Sequence, residues 1–208
     1  NFGDAGAYQH THATALGDDD QPSHNTYSRI HAEVSAALFE LQRLTSPQAP
    51  LVILAHSLGG HIMSNYIYDV QQRARRGQFA FQNVSTVAGL ITFGCNIPLF
   101  LFSYPKEGIT PIARPDSGLP AALRRETWWL NFHGVHDLLG YPLAPAAPAY
   151  AALECTDQLK DHSIWPGNWL TRWNTLSHNS YWHSRRLAGE ISLFLGGLLE
   201  DLERAPAS

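Results

Sequence analysis

The stretch Leu51-Val52-Ile53-Leu54-Ala55-His56-Ser57-Leu58-Gly59-Gly60-His61 changes character at its serine. Four apolar residues run together after Pro50, which suits a short strand buried on both faces of a parallel sheet. Beyond the serine, Ile62, Met63, Tyr66, Ile67 and Val70 recur at the spacing of an amphipathic helix. Strand, serine and helix are therefore consecutive. Ala55 and Gly59 flank Ser57 at two positions on either side, and so sharp a turn is expected to need small residues in both slots.

A turn of this kind lifts the serine hydroxyl out of the sheet and sets it beside a helix N-terminus. There the Leu58 N–H can stabilise a developing oxyanion. The A-H-S-x-G string resembles the nucleophile elbow of the α/β-hydrolase superfamily of serine esterases and lipases, in which alanine in the first slot is a known variant. The resemblance implies an α/β fold: a mainly parallel sheet flanked by helices in three layers, with Ser57 as nucleophile.

The same superfamily takes its acid and its base from later loops on the same sheet edge. Val87 to Phe93 reads as a second buried strand, closing in Gly94-Cys95-Asn96, whose loop should lie beside Ser57. A third strand is expected at Thr127 to Phe132, and Asp137, in the short loop beyond it, resembles the triad acid. Leu143 to Ala152, mostly alanine and proline, reads as a connecting loop. Leu153 to Leu159 reads as a last strand whose charges suit a sheet edge. Leu187, Ile191, Phe194, Leu195 and Leu198 stripe a final helix. In the loop before it, His178, followed by the aromatic pair Tyr181-Trp182, resembles the triad base; His183 is expected to lie already on the helix. Serine, aspartate and histidine thus follow in the superfamily's chain order. The implied reaction is cleavage of a carboxylic ester through an acyl-enzyme, with no cofactor and no metal.

Other segments read more plainly. Ser23 or Thr26 caps a helix with Ile30, Val34, Leu38, Leu41 and Leu44 on one stripe, ending before Pro47. Arg73, Arg75 and Arg76 suit the C-terminus of the helix after Ser57, which Gly77 can end. Residues 98–126 carry Leu99, Phe100, Leu101, Phe102 and Tyr104 among five prolines, too apolar for a linker and too broken for one helix; they are expected to form a lid or cap over the active-site mouth. Trp165, Trp169 and Trp173 recur at four-residue spacing and suit core or lid packing. His10, His12, Asp18, Asp19, Asp20 and His24 match no metal-ligand spacing and read as a solvated acidic loop.

Length and composition bound the rest. With 208 residues, 44% of them hydrophobic, the chain can bury a core as one domain, 1–208. A net charge of −4, with no Lys or Arg run longer than two, argues against nucleic acid as a partner. No apolar run reaches the roughly 18 residues of a membrane span. Cys95 and Cys155 are expected to be separately buried free thiols. The expected partner is a small-molecule ester with an apolar acyl or alcohol part; oligomeric state and compartment are open. No His-Gly motif precedes Ser57, and the chain begins at Asn1, so the expectation is either a fragment lacking the first strands of the resembled fold and the second oxyanion donor with them, the favoured reading, or substitution by the Phe2-Gly3-Asp4 region. A catalytically silent binding fold, or an acyltransferase or thioesterase, is the alternative.

Overall fold

The computed structural model describes residues 26–46, 48–75, 82–102, 109–110, 112–115, 118–167 and 175–204. Ser23, the His10 to His24 cluster, Gly77, Tyr104, Trp169 and Trp173 lie outside the described residues. The chain divides into two units, Asn1–Pro47 and Gln48–Ser208. In the first, helix α1 spans Thr26–Leu44. It has no glycine or proline to interrupt it, and Tyr27 and His31, one turn apart, are buried with ring centroids 4.0 Å apart. The expected stripe is half-buried at Ile30, Val34 and Leu38, whereas Leu41 and Leu44 are exposed.

The second unit is an α/β structure built on four parallel strands in the order β1-β2-β3-β4: β1 Leu51–His56, β2 Val87–Phe93, β3 Trp129–Gly134 and β4 Leu159–Ile164. All seven residues of β2 are buried, as a central parallel strand requires. Among the described residues β1 pairs only with β2, so it is the outermost strand on its side. Helices α2 (Leu58–Arg75), α3 (Ile97–Leu101), α4 (Pro148–Cys155) and α5 (Arg185–Arg204) flank the sheet. On one face Leu187, Ile191 and Phe194 of α5 pack with Ile91, Phe93, Leu130, Phe132 and Ile164. On the other, the Tyr150 ring of α4 meets Trp129 edge-on at 5.8 Å.

A polar ladder crosses that second face. Trp129 Nε1 donates to Thr92 Oγ1 at 3.1 Å, Thr92 Oγ1 to Asn131 Oδ1 at 2.8 Å, and Asn131 Nδ2 to Asp161 Oδ1 at 2.6 Å. Asp161 also accepts the backbone N–H groups of Leu143 and Ala144, and Asn131 Nδ2 donates to the Tyr141 carbonyl. Every buried polar side chain in the run is thereby satisfied.

Several boundaries differ from those expected. The third strand starts at Trp129, not Thr127, and continues through His133 and Gly134, which pair with Ser163 and Ile164 of β4. Leu143 to Ala152 is not a plain loop: a 3₁₀ turn at Ala144–Ala146 leads into α4, where Pro148 suits the first turn and alanines carry the helix. The last strand is therefore Leu159–Ile164 rather than 153–159, because Leu153 lies on α4 and the chain reverses at Asp157 with φ 53. Cys155 ends that helix exposed, so of the two free thiols only Cys95 is buried. Residues 98–126 do not all remain near Ser57. Ile97 to Phe102 do, but Ala113 is held by Gln71 near the far end of α2, and Leu119 and Leu123 pack with Ala88 and Leu198. That contact draws Leu119 and Leu123 to the opposite sheet edge. No helix among the described residues is long and apolar enough to cross a membrane.

Candidate active site

Ser57 stands between β1 and α2 with φ 54, a left-handed conformation that a non-glycine residue adopts only when its surroundings enforce it. Its N–H donates to the Phe93 carbonyl at 3.0 Å, tying the turn to the end of β2. Leu58 is the first residue of α2, so its N–H lacks a partner within the helix. The tight slot in the turn is not Gly59, where an added Cβ would meet nothing within 4 Å, but Gly60, where it would lie 2.6 Å from Cys95 Sγ. Burial pushes that Cys95 thiol up to about 12, which leaves it inert beside the hydroxyl.

His178 and Asp137 arrive from the other strand ends. Asp137 sits just past β3, its N–H donating to Gly134 O at 3.0 Å. His178 belongs to a 3₁₀ helix, Thr175–His183, that precedes α5; His183 ends this turn and is not on the helix. Although 121 residues separate them in sequence, His178 Nε2 and Ser57 Oγ are 2.7 Å apart. His178 Nδ1 lies 2.9 Å from Asp137 Oδ2 and 3.1 Å from Oδ1. All three side chains meet at the C-terminal edge of the parallel strands, and both His178 and Asp137 are buried. An imidazole so held has one nitrogen toward a carboxylate and the other toward a hydroxyl, the geometry that moves a proton off oxygen.

The carboxylate is heavily solvated by the protein itself. Besides His178, Asp137 accepts the Leu139 N–H at 2.9 Å and the Tyr181 hydroxyl at 2.8 Å. Burial alone would raise its pKa, but the hydrogen bonds from His178, Leu139 and Tyr181 outweigh it and hold the group below the ordinary carboxylate value. The Tyr181 oxygen in turn accepts the Gly134 N–H at 2.7 Å. His56, next to the serine, points its Nε2 at the His178 carbonyl, 2.8 Å away, while its ring stacks 5.3 Å from Phe93. Burial lowers the pKa of His56 and so favours its neutral form. Glycine is required at 94, where φ is +57 and a Cβ would meet Tyr181 and His178.

Pattern reading noted Tyr181 only as half of an aromatic pair after His178, with no bond to the carboxylate, and gave His56 and the glycines around Tyr181 no role in the site. The sequence signal for the Tyr181 bond to Asp137 is the three-residue step from His178 to Tyr181, legible only once that segment is known to be 3₁₀. His136, beside Asp137, is exposed and meets Trp165 edge-on at 5.3 Å. Among the described residues no three His, Cys, Asp or Glu side chains gather as metal ligands.

An apolar cavity of about 170 Å³ opens on this edge, lined by Pro98, Leu101, Phe102, Tyr141, Pro142, Pro145 and Ala146. Phe102 at the cavity, Val135 and Leu138 after β3, Trp165 after β4 and Trp182 beside His178's turn are exposed. In the described segments 94–102, 135–147, 165–167 and 175–184 the only Asp, Glu, Lys or Arg is the buried Asp137. Comparison with known family models, curated proteins and solved structures returns no match for this chain.

Proposed function

We propose that this chain is a serine hydrolase of the α/β-hydrolase type, cleaving carboxylic esters through an acyl-enzyme. What carries the reading is the unbroken line of hydrogen bonds from Ser57 Oγ through His178 to Asp137. His178 takes the proton of Ser57 as its oxygen attacks the ester carbonyl. Asp137 holds the ring in the tautomer that leaves Nε2 free to accept it. The oxyanion develops beside the Leu58 N–H at the start of α2. His178 then protonates the departing alcohol, and water, deprotonated by the same nitrogen, releases the acid and restores Ser57. An ester with an apolar acyl or alcohol part suits the cavity behind Phe102 and a rim that, among the described residues, carries no exposed charge.

One observation favours a second reading, a silent binding fold. Among the described residues the donor assigned to the oxyanion is the Leu58 N–H, and one donor alone is a weak site, since loss of one donor from a pair costs about 10²–10³ in rate. Fluorophosphonate labelling separates the two. Wild type is expected to label, Ser57→Ala not, and Asp137→Asn is expected to lose about 10⁴ in ester turnover. Absence of labelling in wild type supports the binding fold.

A further inference from the structure

The 3₁₀ helix that supplies His178 also supplies Tyr181, and with three residues per turn the two side chains leave the helix on one side, one above the other. Both end on the same carboxylate: His178 Nδ1 is 2.9 Å, and the Tyr181 hydroxyl 2.8 Å, from Asp137 Oδ2. The phenol is fully buried, 0% exposed, so it reaches no substrate. Its oxygen is fixed from the far side by the Gly134 N–H, which leaves its proton only the carboxylate to point at.

We infer that Tyr181 is a positioning residue for the proposed reaction: its hydroxyl holds the Asp137 carboxylate in place and shares its charge, thereby setting how strongly that carboxylate draws a proton onto His178. The inference rests on the reading of Ser57, His178 and Asp137 above. Two donors compete for one oxygen, so weakening the phenol's bond concentrates charge toward the imidazole and strengthening it draws charge away. The other titratable groups facing this cluster are His56 from β1, Cys95 after β2, His133 from β3 and, beyond it, Asp161 from β4. Burial lowers the pKa of His56 and His133 and raises that of Cys95, so all three favour their neutral forms.

The test is a pair of changes of opposite sign. Tyr181→Phe removes the donor but keeps the ring; 3-fluorotyrosine at 181 makes the phenol a stronger donor. For Tyr181→Phe the acid limb of the kcat/KM profile is expected to move up by about half a pH unit. Its kcat is expected to fall about tenfold with KM unchanged. The fluorinated protein is expected to move the limb the other way. The imidazole Nδ1 proton, followed by NMR against pH in the same three proteins, reads the same displacement with no substrate present. The inference therefore stays testable if ester turnover, and with it the proposed function, fails. Should Tyr181→Phe not fold, the fluorinated chain alone decides. Unmoved limbs and an unmoved proton titration, with only a lower melting temperature in Tyr181→Phe, would make Tyr181 a packing residue and overturn the inference.

Discussion

A serine at φ 54 is held against its own preference, and the cost, about 1 kcal/mol for a residue with a Cβ in this region, is borne by the turn. Ser57→Ala keeps that strain and Ser57→Gly releases it. The glycine variant is accordingly expected to be more stable than the alanine variant by about 1 kcal/mol, read from urea midpoints at equal slope. Equal midpoints would mean the turn is relaxed. Close approach matters as much at Gly140, where a Cβ would lie 2.5 Å from Asp137 Oδ2 and 2.7 Å from Gly94 Cα. Gly140→Ala is expected to displace the carboxylate and lower ester turnover about 100-fold, well beyond its effect on melting temperature. The convergence of Ser57, Asp137 and His178 was legible because parallel strands present their C-terminal ends on one edge, and each residue stands where a strand end or the approach to the last helix would bring it there. Gly140 and His56 were not, since their roles depend on what lies across the site rather than beside them in sequence.

At the level of elements, hydrophobic period located the central strand and the final helix, because β2 is buried on both faces and α5 on one. It failed where backbone propensity decided instead. The Ala-Pro run at 143–152 has no apolar period, yet Pro148 starts a helix and the alanines sustain it. That unforeseen helix pushed the last strand six residues later. It also placed Asp161 where its oxygens receive Asn131 and the backbone of Leu143 and Ala144. An amide at 161 keeps the shape but sets an NH2 against donors. Asp161→Asn is therefore expected to cost about 3 kcal/mol of stability, measured by denaturant unfolding. Fluorophosphonate labelling of the folded fraction should stay within a few-fold of wild type. Loss of labelling in a protein that still unfolds like wild type would instead make Asp161 the acid of the site.

For the molecule as a whole, pH enters through rings that folding keeps neutral. Burial lowers the pKa of His56, His133 and His162 below the ordinary 6.5, so the unfolded chain takes up protons that the folded one refuses. Their contribution is intact above pH 6.5 and is lost progressively as pH falls below it. Asp137, depressed by its three donors despite its burial, adds stability that persists until pH falls below the usual carboxylate range, 3.8. Melting temperature is expected to decline from pH 7 to pH 5, and a His133→Asn, His162→Asn double variant to flatten that decline. An unchanged slope would mean that those rings titrate alike in both states.

The ladder of Trp129, Thr92, Asn131 and Asp161 also has a consequence for how the strands find their alignment. If β2 slid by a single position against β3, its side chains would swap faces: the Thr92 hydroxyl would be thrust among the greasy neighbours of Phe93 with nothing to bond, and Asn131 Oδ1 would lose its donor. Neighbouring alignments are thus penalised steeply rather than gently. The three loop ends that bring together a hydroxyl, a ring and a carboxylate inherit their spacing from that vernier.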